Sequence, residues 1–256
     1  MQRVDFGFKK VTPAEKTELV RGVFSSVAAR YDVMNDLMSL GSHRLFKRMT
    51  VEMSGVREGQ RVLDLAGGTG DLAALFADVV GASGTVVLTD INAEMMAVGR
   101  ERLLNRGFAQ VQFCQADGEM LPFPDNSFHC VSIGFGLRNF TNKVSALAEL
   151  QRILKPGGVL LVLEFSKPEN PVVDAGYRLF QAFWPGMGKL LTQDAQSYRY
   201  LVESIRVHPD QEALKVMLED AGFEHVSYHN LISGVAAIHR GVKPVEYDPE
   251  DSDPEP

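Results

Sequence analysis

Chemistry could be done where two apolar segments each end near a carboxylate, with a glycine-rich turn after the first. The stretch Arg61 to Asp71 reads R-V-L-D-L-A-G-G-T-G-D. Val62 to Ala66 is apolar apart from Asp64, so 61–66 reads as a buried strand. The turn Gly67-Gly68-Thr69-Gly70 follows, and Asp71 opens a helical pattern through Leu72, Leu75 and Phe76. A strand that turns on glycine into a helix brings backbone N–H groups and a helix N-terminus close to a ligand. Gly67, Gly68 and Gly70 let the backbone approach it, while Asp64 can anchor an amino group or fix the loop. Nineteen residues after Asp71, a strand at 85–89 ends at Asp90. A carboxylate there can accept hydrogen bonds from two ribose hydroxyls. The chemistry so outlined is recognition of a nucleoside-bearing ligand.

The elements that must hold this pocket follow in order. Thr12-Pro13-Ala14-Glu15 is a helix start with a capping box, and Leu19, Val23, Phe24, Val27 and Tyr31 recur at helical spacing. Residues 30–41 show no clean period, and a further helical piece covers about 43–53. From Arg61 strands and helices alternate: strand 61–66, helix 71–80, strand 85–89, helix 93–106, strand 111–116, a loop at 117–127, strand 128–134, helix 142–154, a Lys155-Pro156-Gly157-Gly158 turn and strand 159–165. That rhythm predicts a parallel sheet with helices on both faces, its ligands at the carboxyl ends of the strands. Asp64 to Gly70, Asp90, Asp117 and Gly134 all fall at such ends. Beyond it lies a helical insertion at about 168–206, with a stripe of Val173, Tyr177, Phe180, Trp184 and Met187 broken at Pro185-Gly186. Helix 210–221 and a hairpin of strands 224–231 and 234–240 complete the pattern. The fold class is therefore α/β: a Rossmann-like, seven-stranded, mainly parallel sheet with a C-terminal antiparallel hairpin. Residues 1–247 read as one domain with an N-terminal helical cap over about 12–55.

Composition removes several function classes. The chain has 256 residues and a formal net charge of −7. Asp248, Glu250, Asp251, Asp253 and Glu255 carry five of those charges, so the body is nearly neutral and nucleic acid is not the expected partner. The 248–256 tail is acidic and Pro-rich and reads as disordered. No apolar run is long enough for a transmembrane helix, and the N-terminus has no signal core. Cys114 and Cys130 fall inside strands and read as buried thiols in a reducing, cytoplasmic compartment, with no metal-ligand spacing. His43, His129, His208, His225, His229 and His239 are scattered without a partner pattern. Gly68 to Ala73 also fits G-x-G-x-x-A, which admits a nicotinamide dehydrogenase, although Tyr-x-x-x-Lys is absent from the sequence.

Several blocks together resemble a known family. L-D-L-A-G-G-T-G-D at 63–71 is similar to the first motif of class I S-adenosylmethionine-dependent methyltransferases, and L-K-P-G-G at 154–158 to their later post-sheet motif. R-Y-D-V-M-N-D-L-M-S at 30–39, F-P-D-N-S-F at 123–128, F-G-L-R-N at 135–139, L-E-F-S-K-P at 163–168 and S-Y-R-Y-L-x-x-S-I at 197–205 resemble the ubiquinone/menaquinone biosynthesis C-methyltransferase family, over roughly residues 6–241. The resemblance implies methyl transfer from S-adenosylmethionine to a ring carbon of a polyprenyl quinol, either demethylmenaquinol or a polyprenyl-methoxy-benzoquinol. S-adenosylhomocysteine is the other product. Family cofactor positions fall on Thr69, Asp90, the pair Asp117-Gly118, and Gly134. Gly118 and Asp117 stand where some members carry Ala and Asn, and Asp117 can still accept from the adenine amino group. Gly134 replaces a small hydroxyl residue, so a contact there must come from backbone.

The family's chemistry assigns roles to three further residues. Arg138 would stabilise a phenolate or orient a water, and Asn139 would hydrogen-bond a ring oxygen. Alternatively, Arg138 pairs with a nearby acid to hold its loop. Tyr31, with Asp32 and Asn35, would close the pocket; otherwise Tyr31 is core and Asp32 a helix cap. The 173–187 stripe either covers the fold or lines a channel for the prenyl tail. Ser197, Tyr198, Arg199 and Tyr200 make a substrate contact or a buried hydrogen-bond cluster. A prenylated substrate implies transient contact with a membrane surface. A homodimer and contacts with other quinone-route enzymes stand as options, as does a scaffold without catalysis or another small aromatic acceptor.

Overall fold

The computed structural model describes residues 3–28, 31–191 and 195–245, with the side chains at 31, 32, 37, 38 and 187–191 falling outside that description. The acidic tail also lies outside the described residues. The chain opens with a hairpin that sequence reading does not find, β1 (Val4–Phe6) and β2 (Lys9–Val11). Strands of three residues are too short to show a period. Next comes α1 (Pro13–Val27), started by the expected box: Thr12 Oγ1 accepts from the Glu15 N–H at 3.3 Å, and the Glu15 carboxylate accepts from the Thr12 N–H at 2.8 Å.

Residues without a clean period form α2 (Tyr31–Ser39), followed by α3 (Ser42–Ser54). Tertiary burial supplies what the pattern of α2 lacks. Met34 is 1% exposed and packs with Val27, Trp184 and Tyr198, and Asp36 pairs with Arg44 of α3 at 2.6 Å.

The alternating region folds as β3 (Arg61–Leu65), α4 (Asp71–Val80), β4 (Thr85–Asp90), α5 (Ala93–Asn105), β5 (Gln112–Gln115), β6 (Phe128–Gly134), α6 (Lys143–Ile153) and β7 (Leu154–Phe165). Then come α7 (Pro171–Leu191), α8 (Ala195–Val207), α9 (Gln211–Asp220), β8 (Glu224–Leu231) and β9 (Ala236–Val242). The sheet order is β5-β4-β3-β6-β7-β9-β8. Neighbours from β5 to β7 run parallel, whereas β9 pairs antiparallel with both β7 and β8. The expected seven-stranded sheet with its terminal hairpin is present. The chain winds outward from β3 through β5, then returns to β6 on the other side of β3. This reversal opens a crevice at the carboxyl ends of β3 and β6.

Two details differ from the sequence reading. Lys155 to Gly158 does not separate a helix from a strand; it is a bulge within β7, whose pairing jumps from Phe128↔Leu154 to Cys130↔Val159. And α7 continues through Pro185, where a break was expected. Proline removes one helical hydrogen bond, and the packing beside it compensates: Trp184 is fully buried, with Tyr177 and Phe180 rings edge-on to it.

Separate clusters cover the two faces of the sheet. Residues of α3, α4 and α5, such as Phe46, Phe76 and Leu103, pack on one face. Residues of α6 and α9, such as Leu147, Leu150 and Leu218, pack on the other. A third cluster joins Val27, Met34, Trp184, Tyr198, Leu201 and Ile205, so the N-terminal cap and the insertion close on each other. The stripe residues Tyr177, Phe180 and Trp184 are spent on this packing; the Met187 side chain lies outside the described residues. Among the described residues no helix is long and apolar enough to cross a membrane.

Candidate functional site

The crevice is a cleft of about 820 Å³, counted with its open mouth. Its floor is the ends of β3 and β6 and the turns after β4 and β5; its roof is α1, through Thr17, Val20, Arg21 and Phe24. Ala66 and Phe135, at the ends of β3 and β6, hold φ of +53° and +56°. Left-handed backbone at non-glycine residues is strained, and such strain collects at functional sites. A second cavity of about 300 Å³ lies by the glycine turn, and Ala66 and Gly68 line both.

Asp64 is 1% exposed in the middle of the sheet. Its Oδ2 accepts from the Ala73 N–H at 2.9 Å and its Oδ1 from the Ser132 hydroxyl at 3.3 Å. Burial pushes its carboxyl up to about 7, against the charge of Lys47 and those two donors. Gly67 is required here, because a Cβ would lie 2.9 Å from Asp64 Oδ2 and from Leu88. Asp90, at the end of β4, accepts from the Gly68 N–H at 3.0 Å and the Asn92 N–H at 2.8 Å. Burial raises its pKa, and those backbone donors limit the rise.

The remaining sequence-predicted positions gather around these two. Gly68, Asp90, Asp117, Gly118 and Asn139 line the large cleft. Asp64, Gly68, Thr69 and Gly134 line the smaller cavity. Gly70, with φ +83°, caps the start of α4 between turn and helix. At Gly134 a Cβ would lie 2.6 Å from Leu72 Cδ1, so the glycine leaves room for that leucine. Tyr31 opens α2, and its side chain lies outside the described residues.

Arg138 and Asn139 are adjacent in sequence and differently placed. Arg138 is 6% exposed, and its guanidinium donates to the Glu164 carboxylate at 2.9 Å and to the Phe135 carbonyl. Its backbone N–H also donates to Glu164, at 3.1 Å. Asn139 faces the cleft, and its Oδ1 accepts from the Tyr200 hydroxyl at 3.0 Å. That bond leaves the amide N–H donors of Asn139 for a ligand. Tyr200 is buried on α8 and stacks on Phe6, with ring centroids 4.3 Å apart. Ser197 and Tyr198 are buried too, Ser197 Oγ lying 3.1 Å from Ser26 Oγ.

Sequence reasoning did not single out the contacts that hold the roof. Asn92 Nδ2 donates to the Arg21 carbonyl at 3.2 Å and to Ser25 Oγ at 3.1 Å. Lys16 Nζ donates to the Phe140 carbonyl at 2.9 Å, and burial lowers its pKa to about 8. These pairs span 67 to 124 residues, a separation that no local pattern encodes. The capping box and the helical spacing after it mark α1 locally, and neither sets it over the cleft.

Comparisons with known proteins identify the family and the fold. The model of the ubiE/COQ5 methyltransferase family matches residues 11–243. "Ubiquinone/menaquinone biosynthesis C-methyltransferase UbiE" of Pseudomonas fluorescens (strain SBW25) is 61% identical over 241 residues, covering 93% of this chain and 94% of that protein. A SAM-dependent methyltransferase from Aquifex aeolicus shares the fold at a TM-score of 0.53 and 18% identity, covering 91% of this chain and 100% of the other. Haemonchus contortus phosphoethanolamine N-methyltransferase 2, solved in complex with S-adenosyl-L-methionine, gives 0.59 at 17% identity over 78% of this chain and 52% of the other.

The Arg138–Glu164 pair generates a prediction about stability. Breaking a buried ion pair from one side strands a charge and costs about 3–5 kcal/mol. Arg138→Leu should lower unfolding free energy in urea by that order, and Glu164→Leu added to it should recover much of the loss. A single-variant loss below about 1 kcal/mol would show that the pair does not hold this turn.

Proposed function

The chain belongs to the ubiE/COQ5 methyltransferase family, and from that premise we infer that it is an S-adenosylmethionine-dependent C-methyltransferase of quinone biosynthesis. The observation that carries the reading is the pair of carboxylates at neighbouring strand ends. Asp90 can accept from a ribose diol, and the buried Asp64, raised to about 7, suits a ligand ammonium. Asp117, at the end of β5, stands where an adenine amino group could donate to it. Gly68, Thr69 and Gly70 bring backbone to the amino-acid end, and Gly134 offers backbone alone. When bound, S-adenosylmethionine supplies a methyl group activated on a sulfonium.

The protein's own part is to position the acceptor, exclude water and stabilise charge. We read the acceptor as a prenylated quinol, whose ring oxygen raises electron density on the neighbouring carbon. Asn139 donates its amide N–H to that oxygen as negative charge gathers there, with Tyr200 fixing the amide's orientation. Arg138, tied to Glu164, holds the turn that presents Asn139. The helix α1 shuts the cleft from above, and we assign to Tyr31, which opens α2, a part in closing the pocket. Cap, insertion and sheet act as one domain, because the cap that roofs this cleft packs on the insertion through Val27, Met34, Trp184 and Tyr198. Val172, Leu179 and Phe183 lie on one exposed face of α7 and give the insertion a surface for the membrane that holds the prenyl tail.

Three measurements test this. With labelled S-adenosylmethionine and a reduced prenylated quinol, the chain should put label on the ring. Asp90→Ala should weaken S-adenosylhomocysteine binding by about 100-fold, the loss of two charge-assisted hydrogen bonds, with an unchanged circular dichroism spectrum. Wild-type turnover in that variant would contradict the reading. The third measurement uses pH. A ligand ammonium favours ionised Asp64, which in the free protein is protonated below about pH 7. S-adenosylhomocysteine affinity should therefore rise about tenfold from pH 6 to pH 8, and Asp64→Asn should flatten that rise. A pH-independent wild-type affinity would remove Asp64 from this role.

A further inference from the structure

A lysine from the N-terminal cap reaches into the cavity by the glycine turn. Lys47 lies on α3 with its side chain 9% exposed, and its Nζ is 2.7 Å from Oδ2 of Asp71. It lines the same cavity as Asp64, Gly67, Thr69 and Gly134. Its charge is the largest of the influences that oppose the raised pKa of Asp64, so the two groups feel each other across that space. An ammonium has three N–H donors, and the bond to Asp71 uses one. Asp71 is shared as well, because Arg102 Nη2 lies 2.7 Å from its other oxygen. Lys47 and Arg102 together outweigh Asp71 by one positive charge. The cavity thus has a cationic wall, a buried carboxylate, and the backbone N–H groups of a helix start. That is the polarity of an α-amino acid zwitterion.

We propose that Lys47 binds the α-carboxylate of the cofactor's amino-acid end while Asp64 receives its ammonium. The assignment rests on the reading of the chain as an S-adenosylmethionine-dependent enzyme and adds a cap residue to its binding site. It also gives the cap a function: α3 does not only cover the sheet but senses that the ligand carries an intact amino acid. A nucleoside thioether without one would engage Asp90 and leave Lys47 on Asp71 alone.

The test is calorimetry on the full chain with two probes, S-adenosylhomocysteine and its decarboxylated analogue. The wild type should prefer the first by about tenfold or more, the range of a hydrogen bond between charged groups. Lys47→Met should abolish that preference by weakening S-adenosylhomocysteine more than the analogue, since both probes share any effect on Asp64, and Lys47→Arg should keep part of it. A purely structural lysine would weaken both probes equally when replaced, which overturns the proposal. So does a wild type that binds both probes alike, a result that needs no variant to fold. Failure of the methyltransferase reading looks different: the wild type would then bind neither probe.

Discussion

A carboxylate with 1% exposure in the central strand of a sheet is a constraint that its neighbours must answer. Asp64 is answered by groups from separate elements. Ser132 on β6 and the Ala73 N–H at the start of α4 donate to it, and Lys47 on α3 supplies charge. Gly67 stands beside it without a side chain because a Cβ would collide with the carboxylate. The strand, the turn, the next helix and the cap are therefore set relative to one buried charge. Its satisfaction is partial, which is why burial still dominates its pKa, and that deficit is what a cationic ligand group would remove.

Around this centre the cleft is built by contacts between distant parts of the chain. The roof helix is fastened on one side through Asn92 and on the other through Lys16 and the Phe140 carbonyl. The turn after β6 is fastened beneath by Arg138 and Glu164 and above by Tyr200. The Arg138–Glu164 fastening is buried and the others are part-buried, so these hydrogen bonds hold geometry more tightly than they would in water. The result is a site whose floor is the sheet and whose lid is the cap, with the insertion bracing the turn that carries Asn139.

The chain's own order reveals the floor and hides the fastenings. L-D-L-A-G-G-T-G-D predicts strand, turn and helix because buried apolar runs and glycine turns act locally, and helix 71–80 and strand 128–134 lie where their periods place them. The terminal hairpin is legible for the same reason. Arg138 was open between chemistry and a loop tie; its partner Glu164 lies 26 residues away on the neighbouring strand, a pairing that only sheet order creates. The helix at 31–39 depends on tertiary burial of Met34, and the run through Pro185 depends on the packing of Trp184, so neither shows as periodicity. Lys47 looks like an ordinary helix lysine until α3 is placed against the turn.

The central claim is spatial: the donor's nucleoside sits against Asp90 and its amino-acid end enters the cavity of Asp64. A crystal structure of the chain with S-adenosylhomocysteine tests it most directly. The account predicts ribose oxygens within hydrogen-bond distance of the Asp90 carboxylate, adenine by Asp117, and the sulfur facing Asn139. A ligand lying in the reverse direction, or bound away from the ends of β3 and β4, would contradict it.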